Sequence, residues 1–452
     1  MPFILRKDAV RWRRELRETF ILATPLILGQ LSSIGMNVID TLLAGHLDAR
    51  TLAAVAIGTG LWSLAFVSAI GVMLALQPSV AQLSGAGQRA RIGALFRQAL
   101  WLAFALGLVL LMLVRNASVL LGPIGIDPAI AEETRKFLHA IAWGAPALTV
   151  YFALRGFSEG IALTRPTMYF GLLGLFLLGP IGYVLMYGRL GLPRLGAQGS
   201  GMATAIVLWV QVFAFALYLR LRRHYREIAP FGRFDLPDWH AIVALLRLGV
   251  PMGVAVLMEA GLFVAAALLI GSLGADSVAG HQIAINVASV AFMVPLGVAM
   301  ATTVRVGNAV GRGDTEAVRQ AGYAGIAATM FTQAVSSLAM ALFPLAIANI
   351  YTDDHGVAAM AAQLLLLAAI FQFSDGIQVT ANGALRGLKD TTVPMAVTAL
   401  AYWGIGMPVG YWLAFHAGFG ARGMWMGLIA GLTAAAALLF LRFARRTARR
   451  QA

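Results

Sequence analysis

The feature that most constrains this chain is a window of about twenty apolar residues, the length that crosses ~30 Å of hydrocarbon as helix. Such windows recur at 18–46, 52–76, 93–115, 137–158, 168–187, 198–220, 243–272, 278–303, 321–347, 358–383, 395–416 and 423–442. A backbone inside lipid must satisfy its own hydrogen bonds, so each window predicts a transmembrane helix. Only 12% of residues are charged and 60% are hydrophobic, against about 25% charged in soluble domains. A water-facing shell cannot be built from that composition.

The formal charge of +14 would point to nucleic acid in a soluble domain. Here the basic residues fall in short clusters between apolar windows, which is the pattern of loops on the cytoplasmic side of a membrane, so nucleic acid is not an expected partner. With twelve crossings, 27 of the 34 Lys and Arg lie on the side of the termini and seven on the other. Both termini are therefore expected in the cytoplasm. Arg6, Lys7, Arg11, Arg13, Arg14 and Arg17 open the chain without a cleavage site after a short apolar core, so the start reads as uncleaved.

Enzyme readings find no support. There is no cysteine, which excludes disulfides, thiol nucleophiles and cysteine-held metal clusters. No Gly-Lys-Ser/Thr phosphate loop is present, and the seven histidines lack metal-ligand spacing. No cofactor is expected, and an ion gradient is the expected source of energy.

A shift of 226 residues superposes 25–87 on 251–313 without a gap, with 20 of 63 positions identical. Pro25 falls on Pro251, Gly45 on Gly271 and Gly85 on Gly311. Further on, Ala153-Leu154-Arg155-Gly156 echoes Ala384-Leu385-Arg386-Gly387. The expected fold is an all-α integral membrane protein of twelve transmembrane helices in two pseudo-symmetric six-helix bundles. The expected divisions are a cytoplasmic N-terminus at 1–17, an N-terminal lobe at 18–220, a cytoplasmic linker at 221–242, a C-terminal lobe at 243–442 and a basic tail at 443–452. Duplicated architectures of this kind favour alternating access to a central site.

Seventeen of the twenty carboxylates fall in termini, loops or window ends; Asp40, Glu259 and Asp375 do not. A carboxylate at hydrocarbon depth is costly unless paired, hydrated or protonated, so each reads as an ion, proton or substrate site. Glu259 has Arg247 and Arg305 as its nearest basic neighbours in sequence, both expected at helix ends, so it has no local counter-ion. All three acids break the repeat: Glu259 falls on Ser33, Asp40 on Ala266 and Asp375 near Gly144. Scaffold is shared between the halves and chemistry is not. Gln372, Ser374 and Asn382 flank Asp375, while Gln282 and Asn286 share one helical face, and all five are candidate cavity-lining residues, as are Phe292 and Phe371. Interhelical hydrogen bonding is the competing reading for Gln282 and Asn286, and packing is the competing reading for the aromatics.

The segment Asn37 to Gly45, Pro251 followed by Glu259, Val304-Arg305-Val306-Gly307-Asn308 and Leu385-Arg386-Gly387 together resemble the multidrug and toxic compound extrusion (MATE) transporters, NorM branch, over about 16–440. The resemblance implies export of small amphipathic cations in exchange for Na⁺ or H⁺ across the bacterial inner membrane, by a monomer. It implies that Glu259 and Asp375 form the coupling-cation site, holding Na⁺ where that is the ion, and that Asp40 serves substrate or proton binding. A tyrosine of the family's cation site is replaced here by Phe371, and an acid of the proton-coupled branch's fifth helix is absent where Gly179, Pro180 and Gly182 stand. Two other readings are kept open. A lipid-linked precursor flippase of the same superfamily needs basic residues inside a cavity for diphosphate, and the arginines that fall in windows, such as Arg155, are read as flanking the spans. A passive channel needs no coupling acids.

Overall fold

The computed structural model describes residues 2–123 and 125–448, with side chains from Trp12 onward except at 68. Among the described residues twelve helices are long and apolar enough to cross a membrane. They are α1 Trp12–Gly45, α2 Ala49–Gly85, α3 Arg89–Leu120, α4 Pro128–Gly160, α5 Arg165–Tyr187 and α6 Ala197–Leu221. The remainder are α7 Trp239–Gly271, α8 Ala275–Gly311, α9 Thr315–Leu342, α10 His355–Gly387, α11 Thr392–Phe415 and α12 Gly420–Ala448. No strand occurs among the described residues, so the expected all-helical fold of twelve spans is what the chain adopts.

Several spans are not plain rods. In α4 the helix tightens to a 3₁₀ turn at Ala142–Gly144; Pro146 lacks the N–H that would bond the carbonyl of Ala142, which frees that turn. α2 breaks between Met73 and Leu76. α11 widens to a π-helical stretch at Leu400–Gly406, just before Pro408, whose missing N–H leaves the ladder open there. Asp48 caps α2 by accepting the backbone N–H of Thr51 at 2.7 Å. That bond, helped by the Thr51 hydroxyl and Arg194, holds the Asp48 carboxyl below the usual range. Asp354 caps α10 in the same way, and the N–H groups of Val357 and Gly356 lower it.

The chain forms two compact units. One comprises Leu28–Gly253 and the other Met1–Ile27 with Val254–Ala452. In the first, α2 to α6 enclose a core in which Phe96 stacks near Phe157 with centroids 4.4 Å apart and Phe170 on Phe215 at 4.5 Å. The segment after α6 is pinned to α3: Arg97 Nε donates to Asp235 at 2.6 Å, Trp101 Nε1 to the Asp235 carbonyl and Gln98 Nε2 to the Leu236 carbonyl.

In the second unit Trp425, Tyr402, Phe371 and Phe443 are fully buried or nearly so. α11 and α12 meet along glycines: a Cβ on Gly427 would fall on the backbone of Gly410 and Gly406, and one on Gly431 would meet Gly406. Arg305, expected from sequence at a helix end, binds Glu15 and Glu18, tying the start of α1 into this unit. Asp390, just past α10, is held by Arg442 Nε and Nη2 at 2.9 and 3.0 Å and by Arg446 Nε at 2.9 Å.

The internal repeat is visible in backbone detail. α2 and α8 end at Gly85 and Gly311 and turn through Gly87 (φ +69°) and Gly313 (φ +72°), preserving the 226-residue shift. Past α4 and α10 the matching turns are Ala162 N–H to the Glu159 carbonyl and Lys389 N–H to the Arg386 carbonyl, with φ of 63° and 59° at Ala162 and Lys389. This register sets Glu159 against Arg386, one helical turn away from the Ala-Leu-Arg-Gly echo.

Candidate functional site

Three spans of the second unit converge on a polar cluster. Glu259 lies in α7, about twelve residues or ~18 Å from the Gly271 end. Asp375 and Arg386 lie in α10, and Tyr402 lies in the π-helical stretch of α11. Glu259 experiences the charges of Asp375 and Arg386, and Tyr402 experiences all three. Asp375 is only 4% exposed and Glu259 is half-buried. Neither carboxylate makes a hydrogen bond, and no ion pair within 4 Å closes on either, among the described residues.

Four buried polar atoms in this region lack hydrogen-bond partners: Asp375 Oδ1, Gln378 Oε1, Arg386 Nε and Tyr402 Oη. Leaving such an atom unpaired costs about 1–3 kcal/mol, so the region gains from anything that can satisfy it. Three of the four are oxygens, and those of Asp375 and Tyr402 lie in electrostatic reach of the Glu259 carboxylate, the kind of atom that suits a hard cation or a proton. Among the described residues there is no group of three His, Asp or Glu side chains fit to hold a metal.

Arg386 is the member that sequence reasoning missed. It sits in the last turn of α10, where an arginine reads as an anchor to the headgroups. Its half-burial and its electrostatic contact with Glu259 correct the expectation that Glu259 has no cationic neighbour.

The flanking candidates divide. Gln372 is fully buried and committed to structure: Gln333 Nε2 donates to its side-chain oxygen at 2.5 Å, and its own Nε2 donates to the Ala288 carbonyl at 3.3 Å. Ser374 shares a 2.7 Å hydrogen bond with Thr433. Asn382 is buried at 5% exposure, two turns beyond Asp375. Phe371 is buried against Trp425 and Phe263, with centroids 5.7 and 6.1 Å away. Phe292 is half-buried, whereas Gln282 and Asn286 are exposed on α8, and Asn286 Oδ1 accepts the Tyr351 hydroxyl at 3.2 Å. These last three are not drawn into the cluster by any contact.

In the other unit Asp40 is half-buried and accepts hydrogen bonds from Ser200 at 2.9 Å and Thr204 at 3.2 Å, both on α6. These neutral donors leave its charge uncompensated. A fourth buried acid, assigned from sequence to a window end, also lies in this unit. Glu159 is 1% exposed and receives Arg155 Nε at 2.6 Å, Gln77 Nε2 at 2.8 Å and Thr167 Oγ1 at 2.9 Å. Arg155 in turn donates to Gln30 at 3.0 Å. An arginine is therefore buried within α4 after all, but its carboxylate partner is in place.

The sequence matches the MatE family profile over 25–185 and 251–412, the two halves of the repeat. It is 52% identical to a probable multidrug resistance protein NorM of Xanthomonas campestris over 97% of this chain and 96% of the relative. It is 42% identical to multidrug resistance protein PmpM of Pseudomonas aeruginosa over 98% of this chain and 94% of that protein. Among solved structures, an outward-facing MATE transporter superposes with a TM-score of 0.88 at 19% identity, covering 97% of both chains. The eukaryotic MATE transporter AtDTX14 superposes with 0.84 at 22%, covering 97% of this chain and 99% of that one. The chain belongs to the MatE family.

Proposed function

We propose that this protein exports small amphipathic cations by exchange for Na⁺ or H⁺, with alternating access, and that Glu259 and Asp375 hold the coupling ion. It would sit in a bacterial inner membrane with both termini in the cytoplasm. The observation that carries the reading is the pairing of Glu259 with Asp375 in one membrane-buried cluster, without hydrogen-bond partners. Two acids so placed repel one another and pay desolvation, and a cation or proton relieves both. The multidrug-resistance names of its relatives support drugs as the substrate, and the acids inside the membrane support cations among them.

In the proposed cycle the ion enters from outside and neutralises the pair. This removes the attraction that a positively charged drug feels, so the drug leaves, and coupling between the two ligands is reciprocal. A new drug at the inner face then favours release of the ion. Arg386 supplies a fixed positive charge that keeps the pair from holding the ion too tightly. Asp40, held by the Ser200 and Thr204 hydroxyls, offers a separate negative site for substrate or proton. Sodium, where it is the ion, is cargo and not a resident cofactor.

The test is ethidium efflux from loaded cells expressing wild type, Glu259→Gln or Asp375→Asn, each checked for membrane abundance. Each variant is expected to lose at least ~90% of gradient-driven efflux, the effect of removing about 1.4 kcal/mol or more of coupling. Undiminished efflux in both would refute the assignment.

A further inference from the structure

The unit Leu28–Gly253 carries a groove of about 610 Å³ on the flank of α3, α4 and α6, which the transport reading does not use. Its floor and walls are Trp143 and one face of α6, with Ile206, Trp209, Val210 and Phe213 following at helical spacing. Trp143, Ile206, Val210 and Phe213 are 60%, 40%, 37% and 66% exposed, and such a run of large apolar side chains on membrane helices faces hydrocarbon. Trp209 is fixed in the wall: its Nε1 donates to the Trp143 carbonyl at 3.0 Å, and its ring stacks on Phe213 at 5.6 Å.

One end of this groove is polar. Arg115, in the last turn of the long helix of α3, lines it with His139 and Gln198. The Arg115 guanidinium is exposed and meets no carboxylate among the described residues. Of the other cations at this end of the unit, Arg194 binds Asp48 at 3.2 Å, Arg135 binds Glu132 at 2.8 Å and Lys136 binds Glu133 at 2.8 Å, while Arg50 is engaged by the Ala129 carbonyl and Arg189 lies over the Tyr183 ring. No acidic side chain lines the groove. From Gln198 to Phe213 the α6 face runs about 22 Å, more than the ~15 Å of one leaflet's hydrocarbon. The arrangement is a free arginine at the headgroup end of an aromatic slot as long as an acyl chain.

We propose that this groove is a binding site for an anionic glycerophospholipid, with the phosphate on Arg115 and Gln198 and one acyl chain along Trp143, Ile206 and Phe213. A planar guanidinium matches a phosphate in bidentate fashion, and the indole and phenyl rings along α6 offer an acyl chain apolar surface down to mid-bilayer depth. The positive end disfavours the cationic compounds proposed as transport substrates, so the groove is a lipid site and not a second drug site.

The test is native mass spectrometry of the full chain with phosphatidylglycerol and phosphatidylcholine supplied at equal concentration. Wild type is expected to retain phosphatidylglycerol about fivefold better, the effect of one arginine near a lipid phosphate. Arg115→Gln should abolish the preference, Arg115→Lys should keep most of it, and Arg194→Gln should leave it unchanged. Free glycerol phosphate should not displace the lipid. A second readout does not depend on Arg115 variants folding: phosphatidylglycerol with brominated acyl chains should quench wild-type tryptophan fluorescence more than brominated phosphatidylcholine. That difference should vanish in a Trp143→Phe/Trp209→Phe variant. Equal retention of the two lipids, a preference that survives Arg115→Gln, displacement by glycerol phosphate, or equal quenching would each overturn the proposal.

Discussion

Arg386 changes how the acid pair must work. A cation in electrostatic contact with Glu259 weakens the grip of the pair on an incoming ion, and at an effective dielectric near 20 a charge several ångströms away is worth about 1–2 kcal/mol. Replacing it with an uncharged polar residue should therefore tighten ion binding and slow ion release. In Arg386→Gln the ion concentration for half-maximal drug release is expected to fall about tenfold, and the maximal efflux rate should fall with it. Titrating efflux against Na⁺ and pH in energised vesicles checks this, and an unchanged half-maximal concentration would remove Arg386 from the mechanism. The acids themselves were legible in the sequence because a carboxylate inside an apolar window is anomalous wherever the helix turns. Arg386 was not, because an arginine at a helix end has a bland explanation in the headgroup region, and only the burial of its Nε distinguishes the two. Glu159 was hidden for a related reason. It stands one residue beyond the apolar window that ended at 158, and its burial depends on Gln77 and Thr167, which the chain brings from elsewhere.

At the scale of elements, small residues decide which helices can touch. Membrane helices gain no hydrophobic drive against lipid, so close packing must hold them together, and the glycines of α11 and α12 supply it. Gly427→Ala places a Cβ on the Gly410 and Gly406 backbone, where no side chain can move aside. The expected loss is about 1–3 kcal/mol. Gly60→Ala is the matched control, since its Cβ meets nothing within 4 Å, and it should be neutral or slightly stabilising. Thermal unfolding in detergent compares them; equal midpoints would show that the glycine contact contributes nothing. The twelve spans were readable from hydropathy because each must cross the same thickness. The 3₁₀ turn of α4 and the π-helical stretch of α11 were not, although the prolines beside them were visible. A proline removes a hydrogen bond wherever it falls, but whether the helix bends, tightens or widens depends on what packs against the freed carbonyl. The repeat shows the same limit. Gly85 and Gly311 were correctly superposed, whereas the Ala-Leu-Arg-Gly echo misleads by one turn because four identical residues on a helix can recur at either of two adjacent turns.

The molecule as a whole carries one scaffold twice and its chemistry once. The turns after α2 and α8 and after α4 and α10 match in hydrogen bonding and dihedral angle, yet the positions they present differ in charge. In one unit a buried arginine is neutralised by Glu159; in the other, Arg386 takes the place of that acid and acts on Glu259. Shared backbone with unshared charge suits a transporter whose halves move alike and whose coupling resides in one of them. The most direct test of that claim uses purified protein in proteoliposomes loaded with Na⁺, or buffered acidic inside, and given external tetraphenylphosphonium. Wild type should accumulate the cation above its external concentration as the ion runs out, and Glu259→Gln and Asp375→Asn should not exceed equilibrium. Accumulation that persists in both variants, or a wild type that only equilibrates under either gradient, would contradict the account.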